Sequence, residues 1–154
     1  MNMDQVASNS RTEYVAFFVA ERAYCIDIQS VREIRGWTKT TALPHAPNFV
    51  RGVFNLRGQV IPVLDLSERL GGQALEPGPR HVMIVVHIRG KTVGLLVNAV
   101  SDILDVSADE LQEVPDTVPQ SARFFVTAVL NQQDEMLRVL ALENVLPGAL
   151  EAAE

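Results

Sequence analysis

Short hydrophobic runs rich in valine, isoleucine and phenylalanine recur along this chain, separated by glycine, proline, asparagine or pairs of polar residues. Runs of this length and composition are typical of β-strands, and two runs joined by a few turn residues predict a hairpin. The pattern predicts three hairpins, in which the paired runs are Tyr14–Val19 with Tyr24–Ile28, Val82–Ile88 with Thr92–Val97, and Phe124–Leu130 with Met136–Leu142. The chain is therefore expected to be mainly β.

Helical patterns are few and short. We predict helices only at Ser67–Leu70, Ala108–Leu111 and Glu143–Leu150. A helical turn is also expected at Val31–Ile34, ending before Gly36. A further strand, Val60–Leu66, contains Pro62, which lacks the backbone N–H that a central strand position needs. This proline predicts a sheet edge or a bulge.

An internal repeat is the most informative feature of the pattern. One alignment of the chain with itself, here named the first shift, lays Val19–Ile34 over Ile88–Ile103 without a gap and pairs Glu33 with Asp102. Another, here named the second shift, lays Val53–Leu70 over Val129–Leu146. Both halves have the same order of hairpin, helical turn, hairpin and terminal helix, so we predict two similar units.

The number of strands per unit determines the expected fold class. About five short strands favour closure, because a closed sheet has no exposed edges. We therefore predict a mainly β fold of two small five-stranded (SH3-like) β-barrels packed together, with short helices. The expected boundaries are a flexible tail over 1–12, a first barrel over 13–80, a second barrel over 81–146 and a C-terminal tail over 147–154. Together they form one domain over 13–150.

Composition and charge exclude several classes of function. The net charge of −6 argues against a phosphate-binding surface, since nucleic-acid binding depends on lysine and arginine contacts. Cys25 is the only cysteine, so neither an internal disulfide nor a cysteine-rich metal site can form. The longest apolar run, Tyr14–Ala20, is far shorter than a membrane span, and residues 1–10 do not resemble a signal peptide. A soluble, cytoplasmic protein without membrane insertion is expected.

Candidate chemistry for catalysis or metal binding is weak. The chain lacks the motifs of nucleotide-binding loops, serine hydrolases and zinc proteases. His81 and His87 share one strand face but have no third ligand, and we expect ordinary packing or surface roles for them. The carboxylates Asp65, Asp102 and Asp105 lie near strand ends, where turn formation is a more common role than catalysis. We therefore predict no enzyme activity, cofactor or metal.

Two segments place charge inside otherwise apolar, constrained sequence. The first is Val31–Gly36, and the second is Gly52–Gly58. Gly58 is expected to adopt a positive φ, and Asn55 can close the same turn through its side chain. Arg57 is then held on a rigid turn, as a binding residue or simply as a solvated turn arginine. The single tryptophan, Trp37, is either a binding anchor or part of the core.

These segments are similar to those of the CheW family, the adaptors of bacterial chemotaxis. The resemblance runs from about Glu13 to Leu146. It rests on six motifs in this order: Glu33–Gly36, Leu43-Pro44, Pro47, Asn55–Gly58, Pro62–Leu66 and Val100–Asp102. It implies two packed five-stranded barrels and no catalysis. The sequence departs from the family pattern at Asn98, Ala128 and Ala141, all in the second half.

The resemblance also implies partners and site residues. The implied partners are methyl-accepting chemoreceptors and the regulatory domain of the histidine kinase CheA, with the protein a monomer alone and assembled in arrays. The receptor-facing residues would be Val31, Glu33, Ile34, Arg57 and Val100. The kinase-facing side is expected near Ser101 and Asp102. We also expect Glu33 and Arg57 to contact each other.

A small β-barrel that binds nucleic acid is the alternative from another class of function. It would need a basic, aromatic face, whereas aromatic residues make up 6% of this acidic chain. An enzyme is the third possibility, and it lacks even a candidate pair of nucleophile and base.

Overall fold

The computed structural model describes residues 10–146, and within that range the chain forms eleven strands and three short α-helices. The strands are β1 (Arg11–Val19), β2 (Arg22–Asp27), β3 (Val31–Gly36), β4 (Val50–Leu56), β5 (Gln59–Asp65), β6 (Val82–Ile88), β7 (Lys91–Val97), β8 (Ala99–Ser107), β9 (Leu111–Gln112), β10 (Val126–Gln132) and β11 (Glu135–Leu140). The helices are α1 (Leu66–Arg69), α2 (Gln120–Arg123) and α3 (Leu142–Val145). Single 3-10 turns lie at Ile28–Ser30 and Ala108–Glu110.

The strands form two sheets with the same internal order. The first sheet has the order β8-β1-β2-β11-β10-β9, and the second has the order β3-β6-β7-β5-β4. In each sheet a hairpin pairs in parallel with a strand from the other half of the chain, β2 with β11 and β7 with β5. The predicted mainly β fold with short helices is confirmed, and its two packed sheets have six and five strands where five were predicted for each unit.

The exchange of hairpins changes the domain boundaries. The first sheet combines β1 and β2 with strands that follow residue 98, and the second combines β6 and β7 with strands that precede residue 66. The predicted boundary between residues 80 and 81 therefore does not separate the two sheets. The predicted N-terminal tail over 1–12 is also too long, because β1 begins at Arg11. Residues 1–9 and the C-terminal tail 147–154 lie outside the described residues.

The repeat holds element by element. The second shift carries β4 onto β10 and α1 onto α3 without an offset, and the first shift carries the start of β2 onto the start of β7. Equivalent positions in the two halves can therefore be compared directly.

Three hydrophobic clusters hold the sheets. The largest, here named the shared core, lies between the sheets and takes buried side chains from both: Val15, Phe17, Val19, Tyr24, Ile26, Leu64, Leu66, Ile84, Val86, Ile88, Val93, Leu95, Val97, Phe125, Leu140, Val145 and Leu146. A second cluster belongs to the first sheet and contains Cys25 and Leu130, and a third belongs to the second sheet and contains Phe54 and Met83. Each fully buried side chain of this size contributes roughly 1.5–3 kcal/mol. Both faces of each sheet are therefore apolar.

Two further buried residues bear on the sequence predictions. Burial raises the pKa of the Cys25 thiol to about 12, so it stays protonated and acts as a small hydrophobic side chain. Trp37 is partly buried and packs against the cluster of the second sheet.

Two local predictions were wrong. Val31–Ile34 is not a helical turn but the start of β3, because these residues pair with β6 through a bulge between Val31 and Glu33. The turn precedes this segment at Ile28–Ser30, where the Asp27 side chain accepts the N–H of Gln29. Apolar residues three apart fit a helix and a bulged strand equally well, so their spacing alone did not distinguish them.

Pro62 lies in β5, between β7 and β4, and not at a sheet edge. It is tolerated there because of its register. Opposite Pro62, the backbone N–H and C=O of Val53 both bond to Thr41 on the other side of β4. The Val53–Pro62 pair therefore exchanges no backbone bond, and parallel pairing with β7 starts only at Val63.

The predicted helices are close to those observed. Ser67–Leu70 corresponds to α1, and Ala108–Leu111 corresponds to the second 3-10 turn. The prediction Glu143–Leu150 overlaps α3, and its last four residues lie outside the described range. The strand β8 and the helix α2 were not predicted.

Arg69 joins the two halves beside the shared core. Its guanidinium lies between the rings of Phe49 and Phe125, at 4.9 and 4.8 Å from their centroids. Its Nε donates to the Val145 carbonyl at 2.6 Å and its Nη2 donates to the Asn144 carbonyl at 3.0 Å. The arginine at the end of α1 thus holds the last carbonyls of α3.

Candidate functional site

The hairpin turn between β4 and β5 sets the position of Arg57. Arg57 and Gly58 occupy its two central positions with φ of 51° and 85°. The Asn55 side chain accepts the N–H of Gly58 at 2.8 Å. Positive φ at both central positions matches the twist of the flanking strands, so the turn is a rigid support for an arginine.

Arg57 contacts Glu33 across the two ends of the second sheet. Arg57 Nη1 donates to Glu33 Oε1 at 2.6 Å, and Arg35 Nη1 lies 3.6 Å from Glu33 Oε2. The Arg35 guanidinium also stacks 5.5 Å from the centre of the Phe54 ring. The ion pair therefore joins β3 to the turn that follows β4, although these two strands lie at opposite ends of the strand order.

The charges at this contact favour ionised Glu33. The hydrogen bond from Arg57 is the largest cause that lowers its pKa below the ordinary 4.5, and the charges of Arg57 and Arg35 act in the same direction against the opposing effect of burial. A carboxylate with a lowered pKa contributes to stability above its unfolded value, and loses that contribution as the pH falls through its folded value. The ion pair is therefore intact at neutral pH and is lost in acid.

Arg57 remains available to a partner. Its side chain is 73% exposed, whereas that of Glu33 is 25% exposed. The pair lines an open groove of about 370 Å³, here named the first groove, whose lining residues are Arg32, Glu33, Leu56, Arg57, Gln59, Val85 and Thr92. The lining carries two arginines and one glutamate, and so has a net positive charge, together with the apolar residues Leu56 and Val85.

A second groove lies at the equivalent place on the first sheet. Its volume is about 170 Å³, and its lining residues are Ala16, Phe18, Ala23, Ser101, Asp102, Leu104, Gln132, Gln133, Glu135 and Leu137. The first shift carries Glu33 to Asp102, and the second shift carries Arg57 to Gln133, which also has a φ of 50°. The second groove thus keeps the carboxylate, lacks the arginine, and is acidic.

The remaining predicted site residues lie around these grooves. Val31 and Val100 both pack against the shared core, although they belong to strands of different sheets. Ile34 is 42% exposed on β3, and Ile103, its equivalent on β8, is 56% exposed. The hydroxyl of Ser101 donates to the Ala16 carbonyl at 3.3 Å, where β8 bulges away from β1.

The other candidate groups are dispersed. Asp65 is fully buried and accepts bonds from Arg51, Glu68 and Leu75, whereas Asp105 pairs with Arg11 at the surface. Within residues 10–146, no group of three or more histidine, cysteine or acidic side chains is placed to hold a metal ion. No helix in the same range is long and apolar enough to cross a membrane.

The second groove was missed by the sequence predictions, although Ser101 and Asp102 were named. The signal was present in the repeat, because the second shift leads from Arg57 directly to Gln133. Leu104, Gln132 and Glu135 follow from the fold, which brings β8 and the turn between β10 and β11 to the same face.

Comparison with known proteins identifies the family. Residues 13–149 match the family model described as a CheW-like domain. The chemotaxis protein CheW of Rhizobium meliloti (strain 1021) is 47% identical over 141 residues, covering 92% of this chain and 91% of that protein. The chemotaxis protein CheW of Klebsiella aerogenes is 31% identical over 134 residues, covering 87% of this chain and 81% of that protein.

A solved structure agrees with the fold. The scaffolding protein TtCheW from Thermoanaerobacter tengcongensis matches with a TM-score of 0.81 and 30% identity, covering 88% of this chain and 92% of that one. The resemblance seen in the sequence motifs is thereby confirmed over most of the chain. By sequence and by fold, the chain belongs to the CheW-like family of chemotaxis scaffold proteins.

Proposed function

We propose that the protein is a non-enzymatic cytoplasmic adaptor that couples the tips of chemoreceptors to the regulatory domain of the histidine kinase CheA. The observation that carries this proposal is the pair of equivalent grooves with different charge on one body. A protein that holds two partners at once converts their encounter into a local one, and needs no reaction of its own. The family's scaffold proteins support this class of function over nucleic-acid binding.

The two grooves are assigned to the two partners by charge. The first groove presents exposed Arg57 beside Glu33 of β3, the strand that also carries Val31 and Ile34, and we assign this surface to the receptor. Val100 would extend this surface from the other sheet. The acidic groove with Ser101 and Asp102 is assigned to the kinase. The two grooves carry opposite charge on equivalent surfaces. A partner that is complementary to one groove is therefore repelled by the other, because like charges brought together disfavour association.

Mixing the three proteins tests the adaptor function. We expect receptor-dependent control of kinase autophosphorylation only when this protein is present with both partners, because the receptor and the kinase then share one scaffold. The measurement is the rate of phosphate incorporation into the kinase, with and without receptor. A kinase that responds to receptor equally well without this protein would contradict the proposal.

A charge reversal at Arg57 tests the receptor assignment. We expect Arg57→Glu to weaken receptor binding at least tenfold, because it places a second carboxylate beside Glu33 and removes the exposed guanidinium. Arg57→Lys should also weaken binding, since lysine cannot reproduce the planar fork. The double variant Glu33→Arg, Arg57→Glu should recover part of the loss if the pair acts as a unit.

The matched control for this experiment is Gln133→Glu, which places a carboxylate at the equivalent turn of the second groove. It should leave receptor binding unchanged, and the melting temperature of each variant serves as the folding control. Strictly additive effects in the cycle would show that Glu33 and Arg57 act separately. Full receptor binding by Arg57→Glu would place the receptor surface elsewhere.

A further inference from the structure

A third opening lies beside helix α2, apart from both grooves. It has a volume of about 240 Å³ and is here named the arginine cleft, with lining residues Arg22, Tyr24, Leu70, Gly71, Gly72, Pro119, Ala122, Phe125, Val126 and Arg138. The lining contains two arginines and no acidic residue. It shares no residue with the first or the second groove. In a chain with a net charge of −6, this local excess of positive charge needs a physical explanation.

Arg138 is the unusual residue of the cleft. It lies in β11 between Val129 of β10 and Tyr24 of β2, and only 6% of its surface is exposed. Within residues 10–146 no carboxylate forms an ion pair with it, and its guanidinium makes no hydrogen bond. The guanidinium nitrogens of Arg138 are not among the fully buried, unsatisfied atoms of the described residues, so they reach the solvent of the cleft although most of the side chain is buried.

Two partly buried arginines elsewhere in the fold show what Arg138 lacks. Arg51 pairs with the buried carboxylate of Asp65 at 2.8 Å, and Arg69 donates to two backbone carbonyls. Each of these arginines is held by acceptors of the chain itself. Arg138 is buried more deeply than either, faces an open cleft, and has a second cation, Arg22, at the same opening.

We propose that the arginine cleft binds a glutamate side chain of a protein partner. The guanidinium of Arg138 offers a planar fork that matches a carboxylate with two parallel hydrogen bonds. The wall formed by Leu70, Phe125 and Val126 is apolar, and suits the methylene groups that lead to a glutamate carboxylate. Inorganic phosphate has no apolar part and would leave this wall uncovered. The site is independent of the receptor and kinase assignments of the two grooves.

A short blocked peptide tests the cleft directly. The probe is acetyl-Ala-Glu-Leu-amide, with acetyl-Ala-Gln-Leu-amide and inorganic phosphate as comparison ligands, added to the full-length protein. We expect the glutamate peptide to shift the Nε–Hε resonance of Arg138 and the backbone amides of Gly71 and Gly72 in a saturable manner. The glutamine peptide should bind at least tenfold more weakly, because its amide cannot accept the bidentate bond with a full charge.

Two variants of the cleft and one control complete the binding test. Arg138→Met and Arg22→Met should each weaken peptide binding, and Arg80→Met, which removes the same charge at an exposed site outside the cleft, should not. Unchanged binding in both cleft variants would overturn the proposal. Phosphate that shifts the same resonances as strongly as the glutamate peptide would overturn the choice of a side-chain carboxylate. A chain that ends at Leu146 provides a further control. If its Arg138 resonance differs from that of the full chain without any probe, the chain's own terminus occupies the cleft, and the proposal is overturned.

The stability of Arg138→Met separates a binding role from a structural one. Replacing an arginine that has no counter-charge within residues 10–146 by an apolar side chain of similar length is expected to leave the melting temperature unchanged or to raise it. A fall of more than about 5 °C would show that the chain itself depends on the arginine, and would overturn the proposal. Failure of Arg138→Met to fold would be the same result in its extreme form and would also overturn the proposal.

Discussion

Neither a fragment that ends at residue 80 nor a fragment that begins at residue 81 is expected to show a cooperative unfolding transition on its own. Each fragment lacks the strands that complete its hairpin, since β1 and β2 require β8 and β11, whereas β6 and β7 require β3 and β5. Ten of the seventeen buried residues of the shared core also follow residue 80. The loss of either part removes far more than the 5–15 kcal/mol by which a typical domain is stable.

Circular dichroism during thermal and urea unfolding measures this result. Mixing the two fragments should restore a single transition, because the missing strands are then supplied in trans. The control is the full chain cut by a protease at a site introduced in the exposed segment between α1 and β6, which should keep its transition after the cut. A cooperative transition in either fragment alone would contradict the dependence of each sheet on both halves.

Asp65→Ala is expected to lower the free energy of unfolding by about 3 kcal/mol. The carboxylate is fully buried and accepts the Arg51 guanidinium at 2.8 Å, the Leu75 N–H at 2.7 Å and the Glu68 N–H at 3.2 Å. Its removal leaves a largely buried arginine without its counter-charge, and removes the cap of α1. In a domain of this size the melting temperature should fall by roughly 10 °C.

The matched control is Asp105→Ala, which removes the carboxylate of the exposed Arg11–Asp105 pair. Exposed pairs contribute about 0–1 kcal/mol, so this variant should unfold close to the parent. The measurement is urea unfolding followed by fluorescence of Trp37. Equal losses in the two variants would contradict the special role of the buried pair.

The turn at Asn55–Gly58 illustrates what the sequence predicts well. Asparagine and glycine at these spacings have few backbone alternatives, so a hairpin turn and its positive φ follow from local chemistry. The repeat, and therefore the equivalence of most strands, was also visible as a fixed spacing of apolar residues. The contact between Glu33 and Arg57 was expected from the family motifs and is present at 2.6 Å.

The exchange of hairpins could not be predicted in the same way. A hairpin from the first half and its equivalent from the second half present the same pattern of apolar side chains, so either could complete either sheet. The choice depends on long-range packing in the shared core, which no local pattern records. The same limit applies to Arg138. In the sequence it is an ordinary strand residue, and only the fold shows that it lies in one cleft with Arg22 and an apolar wall.

The exchanged hairpins also have an evolutionary consequence. A shorter ancestor with one copy of the repeat could complete its sheets by swapping hairpins with a second molecule, since domain swapping is a low-cost route to a dimer. Such a homodimer would have two-fold symmetry, and its two grooves would be identical and would recruit the same ligand. Fusion of two gene copies allows each groove to mutate separately. Arg57 and Gln133, which occupy the same turn position, mark the place where this symmetry is broken.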